Sequence, residues 1–548
     1  MKLFDSLVSY RAPREQCDRG MGQLEALEDR LLLSVSIDKG GWTKVGASKD
    51  TRVIYVSSSA GKDSNDGLSP NSPVKTLAKA KGLLRDGKPD WLLLKRGDVW
   101  EESLGKWKLS GRSAQEPLLI SAYGNGARPL LKTGTDSGIY TSSGDRVSHV
   151  AIIGLELYAH HRDPSGKLKS TSGAAGVKWL SGGSNLLIED TIVRFYSDNI
   201  IVQSKQGFSN FKLRRSQVLD AYGVGRHSQG MFISNVNGVT LEENLFDHNG
   251  WNEKVKGAQA TIYNHNIYVQ VDSRNLVVRD NIIARAASHG LQARPGGVVS
   301  GNLFVANPLG ASFGLVRGGA VNKGMVPNSG VGGQVTNNVF LNGNDIAENL
   351  PRGTGLEMAN LNGAKITGNL FAHETSKGDI SKAIMIDGEL AGGMRNTTIE
   401  NNTIYNWMGG LRVVGEANRF NNVTFTRNLI QNLDSDRPMA RFDAAMAGRF
   451  KLNNNTWHSP RSQAFRIDKS EMSFNDWTSR SGEKNSRVAQ VKLVNPTRDA
   501  AAYNATQGKG KSNAAFLQAV RANGVTGAYA AAKVNAWIRA GYQVAMKA

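Results

Sequence analysis

An all-β solenoid, a right-handed parallel β-helix of about eleven or more coils, is the fold this sequence predicts, with an N-terminal cap and a short helical C-terminal cover. Three observations carry the prediction. First, a six-residue pattern, apolar at its ends with Asn or another small residue fourth, recurs along the chain. It reads Ile188–Val193, Leu213–Val218, Leu241–Phe246, Val278–Ile283, Val299–Phe304, Val335–Phe340, Ile366–Phe371, Ile399–Ile404, Phe425–Ile430 and Leu452–Trp457, with a weaker copy from Ile152. Second, the steps between copies vary from 21 to 37 residues, as stacked coils allow, because each coil touches only its neighbours and insertions leave as loops. Third, Gly is abundant at 61 of 548 residues and Pro sparse at 14, a balance that suits many short strands joined by tight turns and excludes a helical bundle.

The elements follow in chain order. Residues 1–35 carry scattered charge and no long apolar stretch, and are expected to act as a sorting segment outside the folded core. Residues 53–135 form the N-terminal cap and first coils, and residues 136–475 the β-helix proper. Within each repeat the alternation marks a strand with one face buried. Stacked coils bring equivalent turns roughly 4.8 Å apart, so the recurrent amides can hydrogen-bond up the stack. Asn244, Asn281, Asn302, Asn338, Asn369, Asn402 and Asn428 are therefore structural, since buried amides must be paired. Residues 476–548 make a basic cover for the open coil edge, with Phe516, Leu517 and Val520 on one helical face and Trp537 and Ile538 in a second short helix.

The composition bounds the function. There are 67 Lys and Arg against 47 Asp and Glu, a net charge of +20, and nearly half of that surplus lies in the C-terminal tail. The charge favours an acidic partner. It does not indicate nucleic acid, because no recognition helix, zinc spacing or aromatic stacking motif accompanies it. No apolar run reaches the ~18 residues of a membrane-spanning helix. The single cysteine, Cys17, cannot form an internal disulfide. A monomer is expected.

Because the interior of such a helix is filled with aliphatic chains, chemistry must lie on an outward strand face or the loops above it. One strand can be followed through Ile200–Gln203, Met231–Ser234, Ile267–Gln270, Leu291–Arg294, Leu356–Met358, Ile384–Asp387 and Leu411–Val414. With its first and third members inward, the exposed face carries Gln203, Phe232, Ser234, Tyr268, Gln270, Gln292, Arg294, Glu357, Asp387 and Arg412. Around it, four of the chain's nine histidines fall between His227 and His289.

Elimination beside a uronic acid needs a neutraliser for the carboxylate, a base and an acid. Arg294 is the natural neutraliser, as guanidinium grips a carboxylate through two parallel hydrogen bonds. His265 or His289 can act as base, and Tyr268 can donate or shuttle the proton. Arg226, Trp251, Gln270, Gln292 and Arg317 are the candidate substrate-binding residues. Two alternatives stay open: a glycoside hydrolase using Glu357 and Asp387, which needs carboxylates about 5 to 9 Å apart, and a non-catalytic cell-surface protein that binds glycans. No metal ligand is assigned. Calcium is left open, although Asp63 and Asp66, in a Gly-bounded turn, read better as turn residues bonding their own backbone.

Several segments add a resemblance. Leu24–Ser34 resembles the short N-terminal segment of many exported planctomycete proteins, which implies a secreted or cell-envelope location. Ile54–Ser57, Gly61–Gly67, Leu94–Asp98 and Ile120–Gly124 resemble bacterial right-handed β-helix proteins of the pectate-lyase-like superfamily. Asn495–Arg498, Ala502–Asn504 and Ala536–Gly541 look like the tail of planctomycete members. The superfamily includes polysaccharide lyases, glycoside hydrolases and binding or structural proteins, so the resemblance does not choose the activity, and it is the basic charge balance that favours an acidic polysaccharide as partner. His289–Gly296 loosely resembles the arginine-bearing coil of the alginate and chondroitin lyase β-helices, but no strand lysine stands in register one coil earlier.

Overall fold

A computed structural model describes residues 35–314, 329–374, 381–389, 392–434, 437–444 and 449–545. The expected sorting segment, apart from Val35, and the candidate Arg317 lie outside the described residues. The chain winds into a right-handed parallel β-helix whose coils each contribute strands to three faces. The face of interest contains Ala175–Trp179, Asp198–Arg214, Gln229–Glu242, His265–Val269, His289–Ala293, Leu309–Phe313, Thr354–Ala359, Lys382–Asp387 and Leu411–Val414, paired in parallel. A second face shares the long strands Asp198–Arg214 and Gln229–Glu242 with it. The third is a separate 14-stranded sheet of short strands, among them Leu245–Asp247, Leu303–Val305 and Leu370–Ala372.

Inside, like stacks on like. Ile200, Met231, Ile267, Leu291, Leu356 and Ile384 form one buried column. Phe304, Phe340 and Phe371 stack at 4.5 and 4.7 Å. At the turn between the second and third faces, the residue before each ladder amide adopts positive φ: 54° at Glu243, 54° at Asp280, 57° at Asn337 and 54° at Asn401. That bend turns the next side chain inward. The amides then bond in series from Asn244 through Asn281, Asn302, Asn338, Asn369, Asn402 and Asn428 to Asn455, each Nδ2 donating to the next Oδ1 at 2.9–3.2 Å. The backbone N–H groups of Asn244 to Asn428 donate to the same oxygens. Two donors on one acceptor at every step satisfy groups that would otherwise be buried and unpaired.

The end nearest the C-terminus is closed by the helix Phe474–Ser481, whose Trp477 packs at 4.9 Å on Phe442 and 5.1 Å on Phe465. The later helices Asn513–Asn523 and Ala531–Gly541 run elsewhere. Phe516, Leu517, Val520, Val534 and Ile538 cover Leu245, Ile282, Leu303, Val339 and Leu370 on the outer side of the 14-stranded sheet. The apolar helical faces seen in the sequence thus cover a flank, and only the first helix of the tail covers an end. Arg521 fastens that flank: its Nη1 lies 2.8 Å from Asp220 Oδ2 and its Nε 2.6 Å from Asp247 Oδ2. Among the described residues no helix is long and apolar enough to cross a membrane.

Candidate active site

Strand geometry alone builds most of the site. Just before the first inward residue of several strands, the corner passes so close to the next coil that a side chain is excluded: a Cβ on Gly290 would lie 2.6 Å from the Gly310 carbonyl oxygen, and one on Gly355 2.6 Å from that of Ala383. This corner throws the residue ahead of it outward, giving a column of Gln229, His265, His289, Leu309, Thr354 and Lys382. A second column of outward residues runs Ile201, Phe232, Tyr268, Gln292, Ser312, Glu357, Met385 and Arg412. Gln229, His265, His289 and Leu309 of the first column and Ile201, Phe232, Tyr268, Gln292 and Glu357 of the second line a cleft of about 650 Å³, together with His227, Ile262, Tyr263 and Arg352 from the loops.

His265, Tyr268, His289, Gln292 and Arg294 all line this cleft. The His265 ring meets the His289 ring at 4.9 Å and the Tyr268 ring at 5.3 Å, both edge-on. The Arg294 guanidinium lies 4.6 Å over the Tyr268 ring and donates from Nη1 to Gln270 Oε1 at 3.1 Å. Among the described residues no carboxylate is within ion-pair distance of Arg294. Among the described residues, four buried polar atoms on this face have no hydrogen-bond partner: His265 Nδ1, Gln292 Oε1 and Arg294 Nε in the lining, and Ser312 Oγ beside Gln292 on the next coil. Unpartnered buried groups are costly, and a cluster of them in one cleft is what a polar ligand would satisfy.

The same burial tunes the titrating groups. Desolvation, helped by the charge of Arg294, lowers His289 to about 3. Desolvation, then His289, Arg294 and His227, holds His265 well below the ordinary histidine value. Both imidazoles are therefore neutral near pH 7. Burial raises the Tyr268 hydroxyl, against the pull of Arg294, so it keeps its proton. Burial lowers the Arg294 guanidinium and takes Lys382 down to about 8.

The other expected binding residues are placed differently. Gln270 lies behind Arg294 as its hydrogen-bond partner and does not line the cleft. Arg226 is exposed near Asp198, outside the lining. Trp251 belongs to the opposite side of the coil: its Nε1 donates to the Arg285 carbonyl and its ring packs on His248 at 4.7 Å. That His is held between Asp220 and Glu253. Glu357 lines the cleft, but its neighbour on the next coil is Met385; Asp387 stands opposite Ala359 and Val414, 1% exposed, accepting from the Glu389 N–H. Asp63 accepts from Lys75 N, Thr76 N and Thr76 Oγ1, and Asp66 Oδ1 from Leu68 N. Asp66 thus bonds within its own turn, whereas Asp63 reaches across to the residues that open the helix Leu77–Gly82.

Sequence reasoning missed Asp198, Gln229, Tyr263 and Arg352, and named His227 only as part of the histidine cluster. Asp198 is raised to about 6 by burial, although it accepts from the Gln229 N–H and lies near Arg226 and Arg162. Gln229 in turn receives the His265 N–H at 2.8 Å through Oε1 and donates to the Tyr263 carbonyl at 3.0 Å, locking strand to wall. A signal was available: Gln229, His265 and His289 each stand two residues before the first inward residue of a followed strand. Asp198 and Glu357, the two carboxylates that line the cleft, are five coils apart, roughly 24 Å at strand spacing, too far to act as one pair.

Fold and cleft together define a right-handed parallel β-helix protein with a polar cleft on one outward face. Residues 137–323 match the family model described as the right handed beta helix region. Over 91 residues the chain is 36% identical to a lacto-N-biosidase of Bifidobacterium longum subsp. longum, a stretch covering 16% of this chain and 6% of that protein. The GH136 lacto-N-biosidase structure from Eubacterium ramulus superposes with a TM-score of 0.38 at 13% identity, covering 80% of this chain and 68% of that one. The complex of XylC with xylose gives 0.42 at 9% identity, covering 81% and 87%. At these identities and scores they leave this chain's substrate open.

Proposed function

We propose that this protein is an extracellular polysaccharide-acting enzyme, a β-eliminative lyase on a uronate-containing polymer. The observation that carries the reading is a half-buried Arg294 whose Nε is buried, without a carboxylate partner among the described residues, lying over Tyr268 beside a buried neutral imidazole. A uronate carboxylate against Arg294 satisfies Nε and withdraws charge from the adjacent carbon, whose proton becomes more acidic. His265, whose Nδ1 has no partner, takes that proton; His289 is less available because its Nδ1 is engaged by Ser288 Oγ at 3.0 Å. The electron pair forms the carbon–carbon double bond and breaks the bond to the glycosidic oxygen, which receives the Tyr268 proton. The proton on His265 then restores Tyr268. Carboxylate binding also neutralises one of the charges that depress His265, so the base strengthens when substrate is in place.

The test is a screen of the purified chain against alginate, pectate, chondroitin and neutral glycans, following ultraviolet absorbance of the unsaturated product and reducing ends in parallel. New absorbance that disappears in Arg294→Ala supports the lyase. Reducing ends without absorbance, lost on changing Glu357 or Asp387, select the hydrolase, and binding without either product selects the glycan-binding protein. With His265 held low, kcat/KM is expected to stay flat as pH falls from 7 to the ordinary histidine value of ~6.5. A half-maximal rate at or above that value would remove His265 as base.

A further inference from the structure

Resting on the lyase reading, we propose that the sugar expelled by elimination is uncharged, so that the substrate is a heteropolysaccharide in which a neutral or amide-bearing sugar is linked to each attacked uronate, rather than a homopolymer of uronates. The cleft has two unlike ends. Along the outward column, Ile201, Phe232 and Tyr268 follow one another on three consecutive coils, with Phe232 edge-on to Tyr268 at 5.2 Å. Tyr263 and Ile262, 60% and 37% exposed, rim the same end, and His227 packs edge-on against Tyr263 at 5.5 Å. Towards the other end come Arg294, then Arg352 with Glu357, and one coil past Thr354 stands Lys382 beside that carboxylate.

This asymmetry fixes which sugar goes where. The carboxylate is held by Arg294 and the leaving oxygen by Tyr268, so the expelled sugar continues from Tyr268 towards Phe232. There it meets apolar and aromatic surface, which suits the C–H faces of a sugar ring. A second carboxylate at that position would be desolvated beside Asp198, which lines the same end. The nearby cations do not answer it. Arg162 directs its guanidinium at the carbonyls of Phe195, Thr171, Ser172 and Tyr222. Arg226 is exposed and does not line the cleft, and Lys178 stands beside Ile201, two coils from Phe232, likewise outside the lining.

The experiment compares hyaluronan and unsulfated chondroitin, which alternate uronate with amide-bearing sugar, against polygalacturonate and polymannuronate. Initial rates of unsaturated product are measured with the unaltered chain, and affinities with His265→Ala. Rates and affinities favouring the alternating polymers by about tenfold or more, with Phe232→Arg shifting preference towards the homopolymers, support the proposal. Equal rates and affinities on the two classes, or a preference for homopolymers, overturn it and leave the lyase reading standing. A binding preference for alternating polymers with no unsaturated product from any of them overturns the lyase reading and keeps the assignment of the neutral sugar to the Phe232 end.

Discussion

The cleft-bearing face and the helix-covered flank are made by the same coils, yet their outer surfaces obey opposite rules. On the flank, the fifth position of the repeat points outward and reads Leu245, Ile282, Leu303, Val339 and Leu370, all buried beneath the C-terminal helices. On the cleft face the outward positions read Tyr268, Gln292, Ser312 and Glu357, and some of their buried polar atoms have no partner. The backbone ladder supports either surface equally well. A strand face made for packing satisfies its groups within the chain, whereas one made for a ligand leaves some to be satisfied from outside.

The most severe way to break the flank is Leu517→Asp, which places a charge at a fully buried position with no cation assigned to it. The expected result is loss of folding or a stability loss on the order of 4 kcal/mol or more, read as a collapse of the thermal transition. Next comes Asn338→Ala in the ladder, common to both faces. It leaves the backbone N–H of Asn302, the Val299 carbonyl and the Asn369 Oδ1 short of a partner, at an expected cost of about 2 to 4 kcal/mol in denaturant unfolding.

On the cleft face the sign reverses. Asp198 has a folded pKa of about 6 against an ordinary value near 3.8, so its contribution is intact below the unfolded pKa and is lost as pH rises from there through about 6. Asp198→Asn, which keeps an oxygen for the Gln229 N–H, is expected to gain on the order of 2 kcal/mol at pH 8 and nothing at pH 3. A gain equal at both pH values would show that the carboxylate charge is not what the fold opposes. The smallest effect on stability is expected from Arg294→Gln, within about 0.5 kcal/mol of the unaltered protein, while formation of unsaturated product falls about 100-fold or more. A large drop in melting temperature would make Arg294 part of the packing rather than of the site.

Much of this molecule was legible in its residues. The Asn at the fourth position of the repeat gave the ladder, because only a stacked turn gives a buried amide a partner of its own kind at every step. The alternation in Ile267–Gln270 and Leu291–Arg294 put Tyr268 and Arg294 on one outward face, because strand period fixes side. Trp251 was misplaced because nearness in sequence to His248 and Arg226 says nothing about which of three faces a loop leaves from, and Asp387 because register sets Met385 beside Glu357.

Sequence alone therefore determined the solenoid, its ladder and the outward side of Tyr268, Gln292 and Glu357, all of which follow from local periodicity. Only the tertiary structure decided that the apolar helices cover a flank, that Asp198 and Arg352 join the histidines, and that the cleft has an aromatic end and a cationic one. Those are relations between residues on different coils and loops, set by how far each coil's insertions displace the next, and a pattern that repeats within one coil carries no record of them.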